Sequence, residues 1–572
     1  MVGGLPASAG AQAVDAAPAD RAPSGDAPAP ADVSEAAAET GGQAEAAPDR
    51  FFIKAYDVSG ATLLSMREIG RVVYRFAGPG RTQADVQAAQ KALQAAYAAR
   101  GYEAAEVEIP VQPADLFAQG VVQLVVREAP VGAVRVVDAR HHSAETARAQ
   151  VPSLVEGRPV DVAALQRDVA EANRFPDRTI MPRFKAGSVP GTVDVELKVE
   201  DQLPYHARVE LNNDNSPNTR PLRSIGTLRA TNLWGQGHTL SVTGSVAPQA
   251  TDQSAMVSGS YNAPLIGTPW GFLVYGYVSN SNVAALGGTN VLGNGYQVGA
   301  RATYRLPATR SFQQISFGPD FKAFKETLSL SGTGLRPTRI RYLPLTAEYT
   351  LSGASDAETY GLTLGVTGGL RIIKRRDCFQ SPFAIIPDGV PTCALGGGET
   401  GIPGDQFTGR AVAANENFVH LNLDFNYLRE LPQDFQAVVR FSGQLADSSL
   451  VTNEQFSLGG MSNIRGYYVS EAIGDDGLVS SLELRSPNVG PDLGTWADEL
   501  RLFAFWDGGY ARYRAPAIGQ IATYRLFAIG GGLRFDMLRY LTGEVLVGVP
   551  LRDGPITHSR DPRYSFSIRG EF

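Results

Sequence analysis

Residues Phe418–Leu428 read FVHLNLDFNYL. In an extended chain Val419, Leu421, Leu423, Phe425 and Tyr427 share one face, and His420, Asn422, Asp424 and Asn426 share the other, because strand side chains alternate with period two. Val298–Leu306, VGARATYRL, repeats the pattern, with Val298, Ala300, Ala302, Tyr304 and Leu306 opposing Gly299, Arg301, Thr303 and Arg305. A soluble sandwich also alternates, with its apolar face inward. Three features point instead to a barrel whose apolar face meets lipid. The polar faces hold charges and recur from Tyr205 to Phe572 without a domain break. Short connections (LWGQG at 233–237, LPQD at 431–434) alternate with long ones (374–412, 447–476). Tyr and Phe gather near strand ends, as in an aromatic girdle. The segment holds about sixteen strands, an even number of the kind such barrels use. Its last strand, RYSFSIRGEF, keeps Tyr564, Phe566, Ile568 and the terminal Phe572 in phase.

The chain has 572 residues, 43% hydrophobic and 19% charged, with 62 Gly, 25 Phe and 21 Tyr, a composition that favours strands and turns over a helical bundle. No run approaches the roughly 18 apolar residues of a membrane-spanning helix. Barrel strands of about 10 residues leave no such mark. A net charge of −7 argues against nucleic acid as the main partner.

Residues 1–50 are rich in Ala, Pro, Asp, Glu and Gly, lack periodicity and read as disordered linker. Ala11-Gln12-Ala13 resembles a signal-peptidase site, without the basic and apolar regions of a signal peptide before it. From Phe51 two α/β modules follow. In the first, residues 51–128, the strand FFIKAYDV precedes LLSMREIGRVVYRFA, with Leu63, Met66, Ile69 and Val73 at helical spacing. Thr82 then opens a helix that Gly101 stops, and two short strands close the module. Residues 129–203 repeat the order with a different sequence. Each module should leave a sheet edge beside a helix, a geometry that receives an added peptide strand.

No catalytic constellation is present. The six His (141, 142, 206, 238, 420 and 558) have no metal-ligand spacing, and His141-His142 reads as a solvated turn. No phosphate loop occurs. The expectation is therefore no enzyme activity, no cofactor and no metal. Cys378 and Cys393 lie in a Gly/Pro-rich loop, and a disulfide closing it implies an oxidising compartment.

The stretch Gly459–Gly477, GGMSNIRGYYVSEAIGDDG, places Arg465 among glycines and aromatics. In a partly dehydrated lumen a guanidinium needs a carboxylate, because an unpaired buried charge is costly. Asp507, in FAFWDGGY, is the candidate. If Phe503 and Phe505 face lipid, Asp507 does too, so the strand should break parity or bulge at Gly508-Gly509.

These stretches, in this order, resemble the outer-membrane transporters of two-partner secretion, the TpsB family of haemolysin and filamentous-haemagglutinin exporters. The resemblance covers roughly 51–572. It rests on YAARGYEAAEVEIPVQ with GVVQLVVREAPVGAVRV, on VELNNDNSPNTRPLRSIGTLRATNLWGQGHTL, on the tetrad Ile464-Arg465-Gly466-Tyr467, and on the Phe-x-Asp motif of Phe505 and Asp507. It implies a barrel of about 16 antiparallel strands (204–572) preceded by two POTRA domains (51–128 and 129–203). The loop 447–476 would then be the sixth extracellular loop, folded into the lumen with Arg465 against Asp507, and Phe572 the C-terminal barrel signal. The implied partners are a large secreted β-helical protein, outer-membrane lipid and the barrel assembly machinery. The POTRA domains would stand in the periplasm of a Gram-negative cell. The family's signal peptide and plug helix have no clear counterpart in 1–50. An assembly insertase of the same superfamily, which commonly carries more POTRA domains, is the main alternative. A passive porin or a soluble β-sandwich adhesin would need neither the modules nor the tetrad.

Overall fold

The computed structural model describes residues 50–572 except 103–104, 174–176, 281–282, 287–288, 293, 308–310, 327–328, 331–332, 335–337, 374–375, 380–391, 397–398, 408–413 and 517–518. The expected N-terminal linker thus lies, but for Arg50, outside the described residues. No described helix is long and apolar enough to cross a membrane.

In the first module the central strand Val121–Arg127 pairs in parallel with Ala55–Ser59 and antiparallel with Glu106–Glu108. Helices Met66–Val73 and Gln83–Ala98 pack against this sheet through Ile69, Val73, Leu93 and Tyr97. Ser65 and Glu68 form a capping box that starts the first helix. Met66, expected on the apolar face, is exposed. It opens the helix, where the core has not yet been reached. Glu128 closes the module: its carboxylate accepts from the Thr62 and Leu63 amides (2.6 and 2.9 Å) and from the Tyr97 hydroxyl (2.9 Å). Burial acts to raise the Glu128 pKa, yet these donors outweigh it and hold the group below its ordinary value.

In the second module Val193–Asp201 lies between Val131–Val137 and Arg178–Ala186, with helices Ala144–Ala149 and Val162–Ala172. Asp201 accepts the amides of Arg140, His141 and His142. The solvated-turn reading of the His pair is corrected for His142. Its ring is buried with Nδ1 3.3 Å from Asp201, and burial lowers its pKa.

Residues from Tyr205 onward form a closed barrel of sixteen strands. Neighbours in sequence pair antiparallel, and the last strand, Arg563–Glu571, closes on the first, Tyr205–Asn212. Phe572 extends that closure, exchanging two backbone hydrogen bonds with Ala207 (2.8 and 2.9 Å). The alternation that defines the strands also sorts their two faces. Val419, Leu421, Val298 and Phe317 project outward, while His420, Arg301 and Asp320 are buried on the lumenal side. Short turns such as Trp234–Gly237 and Leu431–Phe435 gather at the end where the barrel's first strand begins. Tyr205, Trp234, Trp270, Trp496, Tyr540 and Phe572 are exposed at that end, forming an aromatic band. The long connections gather at the other end, and 447–475 is the sixth of them.

Candidate lumenal site

Strand Asp476–Arg485 sends Leu478, Leu482 and Leu484 outward and turns Ser481 and Glu483 inward. Strand Ala497–Arg512 pairs with it so that Ser481 faces Asp507 and Glu483 faces Phe505. The expected parity break is overturned. Register runs unbroken through Ser480↔Gly508 and Val479↔Gly509. Leu502 and Trp506 point outward, while Phe503, Phe505 and Asp507 all face the lumen. Two aromatic rings turn inward because they have a cation to cover. The Arg465 Cζ lies 3.6 Å from the Phe505 ring centroid and 6.0 Å from that of Phe503.

Arg465 enters this pocket from the sixth loop, itself only 3% exposed. Its Nε and Nη2 donate to the two oxygens of Asp507, each at 2.8 Å, and its backbone amide donates to the same carboxylate at 3.0 Å. Nη2 also donates to Ser481 Oγ at 3.1 Å, and Nη1 donates to Glu483. This fork-to-carboxylate fit requires a planar guanidinium, which lysine lacks. Glu483 is shared: Arg485 Nε lies 2.9 Å from it and Arg440 3.5 Å.

The rest of the tetrad fixes the loop to the wall. Ile464 is fully buried with Leu458, Val479, Ala511 and Leu526. Beside it Gly509 leaves the room, since a Cβ there would lie 2.1 Å from Ile464 Cδ1. Gly466 has φ +93°, favouring glycine, and its backbone lies against Gly548, where a Cβ would meet Gly466 N at 2.6 Å. The Tyr467 hydroxyl donates to the carbonyls of Phe527 (3.0 Å) and Arg552 (2.7 Å). The loop thus lies against four consecutive strands of one wall. Phe456–Leu458 and Ala472–Gly474 pair as a small ribbon at its base.

Other predicted residues lie apart. Phe572 stacks on Tyr540, with centroids 5.7 Å apart, at the short-turn end. Cys393 is disulfide-bonded; the side chain of Cys378 lies outside the described residues. Sequence reasoning missed Glu483, although the alternation of LVSSLELR places it on the face of Ser481. It also missed Glu471, which accepts from the amides of Tyr468, Ile556 and Thr557 and ties the loop tip to the last long connection. Among the described residues no cluster of His, Cys, Asp and Glu suits a metal ion.

A family model for the haemolysin secretion/activation protein ShlB/FhaC/HecB matches residues 191–535, and one for the ShlB-type POTRA domain matches 51–129. The heme/hemopexin transporter protein HuxB of Haemophilus influenzae (strain 86-028NP) is 21% identical over 515 residues, 85% of this chain and 80% of HuxB. CdiB from Escherichia coli superposes with a TM-score of 0.61 at 17% identity, covering 93% of both chains. CdiB from Acinetobacter baumannii gives 0.55 at 14% identity, covering 92% of this chain and 91% of CdiB. BamA from Haemophilus ducreyi lacking POTRA domains 1-3 gives 0.50 at 13% identity, covering 91% of this chain and all of that one. At these identities the solved structures speak to the fold. The family model, matching more than half of the chain, speaks to descent: this POTRA-bearing, sixteen-stranded transmembrane barrel belongs to the ShlB/FhaC/HecB family of two-partner secretion transporters.

Proposed function

We propose that the protein sits in the outer membrane of a Gram-negative cell, takes up an unfolded secretory partner at its periplasmic POTRA domains, and passes it outward through the barrel. The observation that carries this reading is the pairing of two α/β modules with a barrel whose sixth loop is tied inside the lumen. A diffusion pore needs neither part. In this reading the Arg465–Asp507 pair anchors the loop, and the exposed edges of the POTRA sheets receive extended segments of the partner. That partner is a large β-helical secreted protein, and the description of HuxB as a heme/hemopexin transporter makes a haem-acquisition protein one candidate. The barrel reaches the membrane through the barrel assembly machinery, with Phe572 as its terminal signal. Bond-making chemistry has no place in this task. Deleting residues 51–127 should abolish export while channel conductance in planar bilayers persists. Continued export would refute partner capture by the first module.

A further inference from the structure

The sixth loop has a second buried carboxylate, on its incoming limb, which no part of the tetrad contacts. Glu454 is fully buried. Its Oε1 accepts from Lys322 Nζ at 2.6 Å and from the Tyr342 hydroxyl at 2.5 Å, and its Oε2 lies 3.3 Å from His420 Nε2. The backbone carbonyl of Glu454 accepts from the Gln444 side chain at 2.9 Å. Next to it Leu450 and Val451 pack into an apolar layer of Met256, Phe324, Ile340, Tyr342, Phe407 and Phe418. That layer is out of character with a lumen lined elsewhere by Arg301, Asp320, Arg440 and Glu483. Its function is to receive the loop.

The positions of these partners matter. Counted from Tyr205–Asn212, Lys322 stands on the seventh strand, Tyr342 on the eighth and His420 on the tenth. Asp507 stands on the thirteenth and Gly548 on the fifteenth of the sixteen. The loop therefore leaves its own strand, is tied at Glu454 to one wall, crosses, and is tied at Arg465 to the other. It forms a bar across the lumen with a charged latch at each end.

The two latches differ in reinforcement. Arg465 is backed by buried Ile464, by the Gly466–Gly548 backbone contact and by the two hydrogen bonds of Tyr467. On the Glu454 side the polar ties of the loop's side chain run through one carboxylate. We infer that Glu454 is a positioning residue for transport: its bond to Lys322 and Tyr342 holds the loop's incoming limb across the lumen, and its release clears a passage while Arg465 remains anchored as the pivot. This rests on the translocator reading of the barrel.

The test is the gating of the full-length protein in planar bilayers, which reads the latch without requiring export. Glu454→Gln keeps the shape but leaves Lys322 as an uncompensated buried cation in the closed state. The open fraction should rise by about tenfold or more, with Arg465→Lys loosening the other end and not reproducing that rise. Wild-type gating in Glu454→Gln overturns the proposal. Should that variant fail to insert, a cleavable bismaleimide joining Lys322→Cys to Glu454→Cys carries the test. The linked protein should stay closed and export nothing, and cleavage should restore both conductance and export. A linked protein that conducts or exports as freely as the cleaved one overturns the proposal. If the partner is not exported by the wild type while Glu454→Gln still gates differently, the translocator reading fails and the latch stands.

Discussion

Arg465 meets Asp507 edge on, Nε to Oδ2 and Nη2 to Oδ1, both at 2.8 Å, with Asp507 fully buried on the inner wall. Removing one member of such a pair costs about 3–5 kcal/mol because the other is left charged and dry. Arg465→Ala and Asp507→Ala should each free the loop, seen as protease cleavage within 447–475 while the barrel still inserts. The double variant should lose less than the sum of the two, and additive losses would show that the two residues act independently. Arg465→Lys keeps the charge but not the fork, and should fall between wild type and Arg465→Ala.

The loop also depends on two places where the wall has no side chain. A methyl at Gly548 would lie 2.6 Å from Gly466 N, and one at Gly509 would lie 2.1 Å from Ile464 Cδ1. Gly548→Ala should therefore displace the loop with Arg465 and Asp507 both intact, giving the same cleavage pattern as Arg465→Ala. Gly466→Ala adds a φ penalty of roughly 1–2 kcal/mol. Cleavage unchanged from wild type in Gly548→Ala would mean that the loop does not rest on this backbone contact.

Much of this arrangement was legible before any coordinates. FVHLNLDFNYL announces a strand with a lipid face and a lumenal face, and the structure sorts Val419 and His420 accordingly. The tetrad and the Phe-x-Asp motif could be named from the sequence. The facing of Phe503 and Phe505 could not, because an aromatic suits lipid or the face of a guanidinium equally well. Only the position of Arg465 decides between them. Met66 misled for a similar reason: helical spacing marks a stripe, not where the core begins. Glu454 carried no local signal at all, since Lys322, Tyr342 and His420 come from three distant strands.

In the first POTRA module Glu128 joins the loop before the first helix to Tyr97 of the second. Glu128→Ala leaves those donors without an acceptor, at about 1–3 kcal/mol. Because its folded pKa lies below the unfolded value, the carboxylate stabilises the module above the unfolded pKa of about 4.3, and that contribution is lost as pH falls through the folded value. His142, whose folded pKa is also lowered, gives the second module a dependence of the same sign, beginning below about 6.5. Hydrogen exchange on the full chain should show both modules opening on acidification. Glu128→Gln should blunt the part nearest pH 4 in the first module alone; a dependence unchanged by that variant would contradict the assignment.

With only two cysteines in the chain, the disulfide at Cys393 is proposed to close on Cys378. The protein as isolated should take up no maleimide until reduced, and then two equivalents. Reduction should leave the heat-modifiable mobility of the barrel unchanged. Labelling without reductant would contradict the pairing.

The central claim is that the barrel exports a partner protein and needs its lumenal loop anchored to do so. The most direct measurement is the amount of partner appearing outside cells that carry the wild type, Arg465→Ala or Asp507→Ala, with barrel insertion checked by heat-modifiable mobility. The account predicts full export by the wild type and a loss of about tenfold or more in each variant at equal insertion. Equal export by all three would contradict it.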